Sequence, residues 1–174
     1  MPEDLSESGH RTVSSDWHVT EQPDWDELVR ARTQYLTQRA RLFSPAYDPV
    51  PLLRAALAST STGHIAVQEL ESMAEHRPDL IRALIPELFL RSLGVHAICG
   101  TARRALGALS TEELEPKLRP LVAEFLADPA HEWEQFSGLV TLLEDLGIRD
   151  RLEQVKTVAR GSSNQDIRNV ADLP

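Results

Sequence analysis

A pattern of apolar residues returns about every 37 residues through most of this chain, and it constrains the fold more than any other feature. Ala66, Leu70 and Met73 recur as Ala102, Leu106 and Leu109, then as Leu139, Leu143 and Leu146. A second set, Ile81, Leu84, Ile85, Leu88 and Phe89, recurs as Leu118, Leu121, Val122, Phe125 and Leu126. Its third copy is Val155, Val158 and Ala159. Within each set the spacing is three to four residues, the period of a helix that buries one face. Each period thus predicts two helices. One pair cannot bury both apolar faces alone, so neighbouring pairs must stack. The expected fold class is all-α, an α-solenoid of antiparallel helix pairs, with Leu84 and Leu121 in the same inward register.

Start and stop signals fit this reading. Thr62 caps a helix that carries Ile65, Ala66, Leu70 and Met73 and ends at Arg77-Pro78. Asp79 caps the next, which runs to Gly94, and a third spans about 96–109. Ser110 or Thr111 caps a fourth helix, which ends at Ala127 before Asp128-Pro129; Ser110 to Glu113 reads STEE, a capping-box pattern. A fifth spans about 131–146, a sixth 148–160, and a seventh begins near Asn164. Pro86 and Pro120 lie inside their helices, which predicts a kink or a separate short turn at each. Upstream, Trp25, Leu28, Val29, Arg32, Leu36 and Phe43 predict a helix over 24–43, stopped by Pro45 and Pro49. A short helix, Leu52 to Ala58, follows with Pro51 in its first turn. Residues 1–23 are polar, without periodicity, and are expected to form a flexible arm, with 24–174 as one helical domain.

The repeat unit resembles the HEAT repeat. The phrases TARRALGAL, LADPAHEW and GSSNQDIRNVADL carry the likeness, which covers about residues 60–174. In the last phrase Asp166, Ile167 and Arg168 follow the acidic, aliphatic, basic order that opens a HEAT first helix. The fifth helix departs from the pattern, with Phe136-Ser137-Gly138 in the region of the expected Arg. The resemblance implies a right-handed solenoid of about three repeats behind N-terminal capping helices, with second helices lining the concave surface. It also implies a scaffold for a protein partner. A few HEAT-like proteins instead bind modified nucleic acid or act in cofactor attachment.

Composition narrows the function classes. Hydrophobic residues make up 41% and aromatic residues 5%, which suits Leu- and Ala-rich helix packing. The single cysteine, Cys99, rules out an intrachain disulfide and fits a reducing compartment. The first ten residues, MPEDLSESGH, lack the basic start and apolar stretch of a signal peptide, and no run is apolar enough to span a bilayer. A cytoplasmic location is expected. The net charge of −9 is uneven: −4 over residues 1–23, +1 over 24–110 and −6 over 111–174. An acidic chain without a basic block argues against nucleic acid and against anionic membrane surfaces, since phosphate neutralisation dominates such binding.

Candidate chemistry is thin. His131-Glu132 begins an HE pair, but position 135 is Gln, so HExxH is absent. His96 and Cys99 can share a helix face, but two ligands do not make a zinc site. His76 reads as a helix-end residue facing the dipole, and Ser162-Ser163 as a turn and cap. The acid pairs Glu112-Glu113 and Glu144-Asp145 read as solvated. No catalytic residue, metal ligand or cofactor is expected, and the chain is read as a non-enzyme. The candidate partner-binding residues come from the repeat. Arg82, Arg119 and Lys156 are 37 apart, as are Glu87 and Glu124, so stacked repeats would place them as a basic stripe beside an acidic one. Solvated flanks inherited with the repeat, and local ion pairs such as Glu87–Arg91, are the simpler explanation of the same spacing. Trp17 and Trp25 complete the set as apolar anchors near the arm. The leading expectation is a protein-binding scaffold or adaptor. The alternatives are an immunity-type protein that neutralises a basic toxin or effector, and an enzyme or chaperone acting on a small molecule or cofactor-bearing protein.

Overall fold

The structure is a computed structural model that describes residues 23–128 and 130–172. Trp17 and the expected arm up to residue 22 lie outside the described residues. Of these described residues 75% are helical and none is in a strand. No described helix is long and apolar enough to cross a membrane. The chain divides between Tyr47 and Asp48 into two compact units.

The first unit contains α1 (Pro23–Leu42). Asp24 and Asp26 occupy its first turn and Arg39 and Arg41 its last, both favourable for the helix dipole. The second unit contains α2 (Val50–Ala58), α3 (Gly63–Met73), α4 (Pro78–Ala83), α5 (Ile85–Ser92) and α6 (Ala97–Leu106). It continues with α7 (Thr111–Ala127), α8 (Trp133–Asp145), α9 (Arg149–Arg160) and α10 (Gln165–Val170). Like packs on like in this unit: α3 touches α6 and α6 touches α8, while α5 touches α7 and α7 touches α9. Cross-contacts α5–α6 and α8–α9 join the two series.

Local sterics explain where the helices break. The expected helix from Asp79 to Gly94 is split at Leu84 into α4 and α5, because Pro86 has no N–H to give the preceding turn. It also starts two residues early, with Arg77 and not Asp79 at the N-cap. Arg77, held out of the helical region by Pro78 (φ −132°, ψ 57°), precedes α4, and Asp79 forms an ion pair with Arg77 instead of capping. Pro120, in contrast, does not break α7, nor does Pro116. Both prolines are exposed, so the carbonyls they leave unbonded one turn earlier can face water. Ser110 caps α7 by accepting the Glu113 N–H at 3.3 Å. The full reciprocal capping box belongs to α8, between Glu132 and Gln135, where a glutamate stands in place of the usual Ser or Thr. Thr62 makes no side-chain cap; its hydroxyl donates back to the Ala56 carbonyl at 3.2 Å.

The core follows the repeat and narrows along it. Ile81, Leu84, Ile85, Leu88 and Phe89 are all buried. In the next copy Leu118, Val122 and Phe125 are buried, but Leu121 and Leu126 are only half-buried, which corrects the equal inward register expected for Leu84 and Leu121. In the third copy Val155 and Ala159 are buried and Val158 is exposed. The reason is coverage: α5 is flanked by α2, α4, α6, α7 and α8, whereas α9 has α7, α8 and α10. Among the first helices Ile65 is exposed and Met73 half-buried, and Val67 takes the inner position instead.

Gly138 shows what the Phe136-Ser137-Gly138 departure accomplishes. A Cβ at this position would lie 2.0 Å from the Gly94 nitrogen, so α8 and the α5–α6 turn meet backbone to backbone. Gly94 itself has φ 133°, which favours glycine. Arg103 of α6 secures the same turn, donating from Nε and Nη2 to the Ser92 carbonyl (3.2 and 3.0 Å) and from Nη2 to the Gly94 carbonyl. Burial pulls the Arg103 pKa down, opposed by the nearby Cys99 and Asp145.

Candidate interaction surfaces

Charges in equal sequence register meet different surroundings. Arg82 of α4 is exposed and its Nε donates to Glu113 Oε1 at 2.9 Å, reaching the first turn of α7. That guanidinium holds the Glu113 carboxyl below its ordinary pKa. Arg119 pairs within α7, to Glu115 at 2.9 Å. Lys156 turns inward: its side chain is 12% exposed and its Nζ lies 3.2 Å from Glu144 of α8. Glu87 is half-buried and paired with Arg54 of α2, while its second oxygen, Oε2, is buried without a hydrogen-bond partner. Arg82, Arg119, Lys156 and Glu87 are therefore each engaged with a side chain outside the expected set. Glu124 is exposed on α7, and Trp25 is exposed on α1.

The Glu87–Arg91 pair anticipated at i,i+4 gives way to longer connections. Arg91 donates from Nε to the Leu57 carbonyl at 2.7 Å and from Nη2 to the Ser59 carbonyl at 2.9 Å. It thereby covers the Leu57 carbonyl at the end of α2 and adds to the Ser59 carbonyl, which already accepts the Gly63 N–H at 2.9 Å. The pairs Arg54–Glu87, Glu71–Arg104 and Arg82–Glu113 link residues 33, 33 and 31 apart, close to one repeat. Each is solvent-exposed on at least one side, so solvent screens it and it contributes little to stability. Nothing in the sequence pattern distinguishes these arginines from solvated ones.

The remaining candidates are built into the packing. His131 stacks on Phe125 with ring centroids 3.8 Å apart and its Nδ1 lies 3.2 Å from Gln135 Oε1. Glu132 beside it is the α8 cap. Cys99 is buried while His96 is exposed, so the two do not converge. Ser162 accepts the Asn164 N–H at 3.2 Å, a turn before the α10 cap. Among the described residues no group of three or more His, Cys, Asp or Glu side chains is arranged to hold a metal.

Two open grooves lie on the second unit. One, of about 650 Å³, lies where α3 and α6 end and is lined by Glu71, Glu75, His76 and Arg104. Another, of about 460 Å³, lies between α8 and α10 at Trp133, Ser137, Asp166 and Asn169. In the first unit, Trp25, Leu28, Val29, Tyr35 and Leu36 of α1 are 47–57% exposed. This is the largest run of exposed apolar side chains on any one described helix.

No protein-family model, no curated protein and no solved structure matches this chain.

Proposed function

We propose that this protein is a protein–protein interaction scaffold, built as a HEAT-like right-handed solenoid of about three helix pairs preceded by N-terminal helices, and acting in the cytoplasm. The observation that carries the reading is the like-on-like packing of α3, α6 and α8 on one side and α5, α7 and α9 on the other. Repeated helix pairs stacked in this way form an extended surface, which suits a macromolecular partner better than a small molecule. Ion pairs spaced close to one repeat support the same stacking. The proposed contact residues are those of the second helices that keep accessible charge, Arg82, Arg119 and Glu124, with Glu87 and Lys156 bracing the helices beneath.

The test is affinity capture of the tagged chain from lysate of its native host, with mass spectrometry, comparing the parent with Arg119→Glu/Glu124→Arg. The expected result is a specific protein retained by the parent and depleted with the variant. Both chains should melt alike, because exposed charges contribute little to stability. If the parent retains no protein above the bare-tag control at low and at physiological salt, the scaffold reading fails.

A second reading, neutralisation of a basic toxin or effector, draws on the charge of −6 over residues 111–174 and on the exposure of Glu112, Glu124, Asp150 and Glu153. Under it the partner is cationic, Glu112→Arg/Glu124→Arg abolishes capture, and binding falls steeply with salt.

A further inference from the structure

The groove between α8 and α10 is built for one kind of occupant. Trp133 and Ser137, one turn apart on α8, form one wall, and Asp166, Asn169 and Val170 of α10 form the other. Elsewhere in the second unit Phe89, Phe125 and Phe136 are buried in the core, whereas Trp133 is 42% exposed. An indole left in a groove keeps a large ring face for a ligand. No described arginine or lysine lies over that ring.

The polar atoms around the indole are acceptors. The Asp166 carboxylate is exposed and has no ion-pair partner among the described residues; its own N–H goes to Asn164 Oδ1 at 2.9 Å. The Ser137 hydroxyl is half-buried and makes no hydrogen bond among the described residues. Asn169 Oδ1 is already taken by Gln165 Nε2 at 2.8 Å. Resident cations are kept away. α8 contains no lysine or arginine. Arg168, the one basic residue of α10, turns back on its own N-terminal turn, donating from Nη1 to the Ser162 carbonyl at 2.6 Å and from Nη2 to Gln165 Oε1. A carboxylate in the first turn also suits the dipole of α10, but an exposed indole across the groove adds nothing to that helix.

A ring face, a free carboxylate and a hydroxyl acceptor together suit a flat cation with several N–H donors. A guanidinium stacks on an indole and at the same time gives two parallel N–H groups to a carboxylate. An ammonium is a point charge and cannot do both equally well. The groove, of about 460 Å³, has room for such a side chain with the backbone on either side of it. The charge of −6 over residues 111–174 favours a cationic visitor over the same region.

We propose that the α8–α10 groove receives an arginine side chain of a protein partner, with Trp133 as the stacking face, Asp166 as the counter-ion and Ser137 as a further acceptor. From the scaffold reading this takes only that the partner is a protein.

The test is nitrogen-edited NMR of the full chain titrated with acetyl-Gly-Arg-Gly-amide, the Trp133 indole N–H being identified by its loss in Trp133→Phe. The Trp133 indole and the Asp166 and Asn169 amides should shift together and saturate. Citrulline in place of arginine keeps the shape and removes the charge, and should weaken binding about tenfold. Asp166→Asn should weaken the arginine peptide about tenfold and erase its advantage over citrulline, and Trp133→Ala should weaken it about threefold. Both positions are exposed, so both variants should melt close to the parent. An indole that does not move at millimolar peptide, or equal binding of arginine and citrulline, overturns the proposal. A lysine peptide that binds as tightly as the arginine peptide overturns the guanidinium assignment. Failure of the scaffold reading looks different: the arginine peptide binds although lysate capture retains no protein. A captured protein that Trp133→Ala/Asp166→Asn retains as well as the parent leaves the scaffold reading standing and overturns the groove.

Discussion

The α4–α5 segment and α1 carry the same three-to-four spacing of large apolar side chains, yet the fold treats them oppositely. Leu84 and Leu88 are completely buried, whereas Leu28 is 57% and Leu36 47% exposed. Periodicity reports that a helix has an apolar face. Whether the face is covered depends on neighbours, and α5 has α2, α6, α7 and α8 around it. The same spacing is therefore compatible with either outcome, because burial belongs to the neighbours and not to the pattern.

The largest effect that can break this contrast is cavity formation. Leu84→Ala should cost about 2–5 kcal/mol in chemical denaturation, the usual range for a buried leucine. Leu36→Ala should stay within about 0.5 kcal/mol, as exposed substitutions do. Equal losses at the two positions would show that α1 is covered after all. Next comes close approach within the second unit. Gly138→Ala should cost about 1–3 kcal/mol, because its Cβ meets the Gly94 backbone, which has no side chain to swing away. Gly161→Ala is the control: its nearest neighbour would lie at an ordinary 3.5 Å, and its melting temperature should equal or slightly exceed the parent's. Leu121→Ala sharpens the comparison inside the repeat. Half-buried where Leu84 is fully enclosed, it should lose less than about 2 kcal/mol in the same denaturation series.

The smallest effect is electrostatic and confined to the second unit. The Arg77 hydrogen bond holds Asp79, and the Arg82 hydrogen bond holds Glu113, below the ordinary carboxylate pKa. A carboxyl depressed on folding stabilises the folded state above its unfolded pKa, and that stabilisation disappears as pH falls through the folded value. The thermal midpoint should therefore drop on acidification below the ordinary carboxylate range. Arg82→Gln should flatten the drop slightly, since both partners are solvent-screened. An Arg82→Gln profile identical to the parent's would show that the bridge between α4 and α7 contributes nothing.

Much of the local structure could be read from residue order because its causes are local. Helix periodicity, the Ser110 cap, the stop at Asp128 and the break before Pro86 all depend on contacts within a turn or two of backbone. The repeat marked the centre of the core, since Ala66 and Leu70, Ala102 and Leu106, and Leu139 and Leu143 recur on one helical face and are buried. Even so, α7 runs through Pro120 because that face meets solvent, a fact about exposure and not about proline.

What tertiary structure alone decided lies between residues far apart in the chain. Arg82 reaches Glu113, Glu87 turns to Arg54 and away from Arg91, and Lys156 folds in upon Glu144. All three choices depend on the distance between helices, and equal register along the sequence carries no information about it. Gly138 is silent as a letter and decisive in space, because only the approach of α8 to Gly94 forbids a Cβ there. Residue order carries helix period and apolar faces, which arise within a turn or two of backbone; which faces are covered and which charge meets which belongs to the fold, since burial and ion pairing are properties of assembled neighbours.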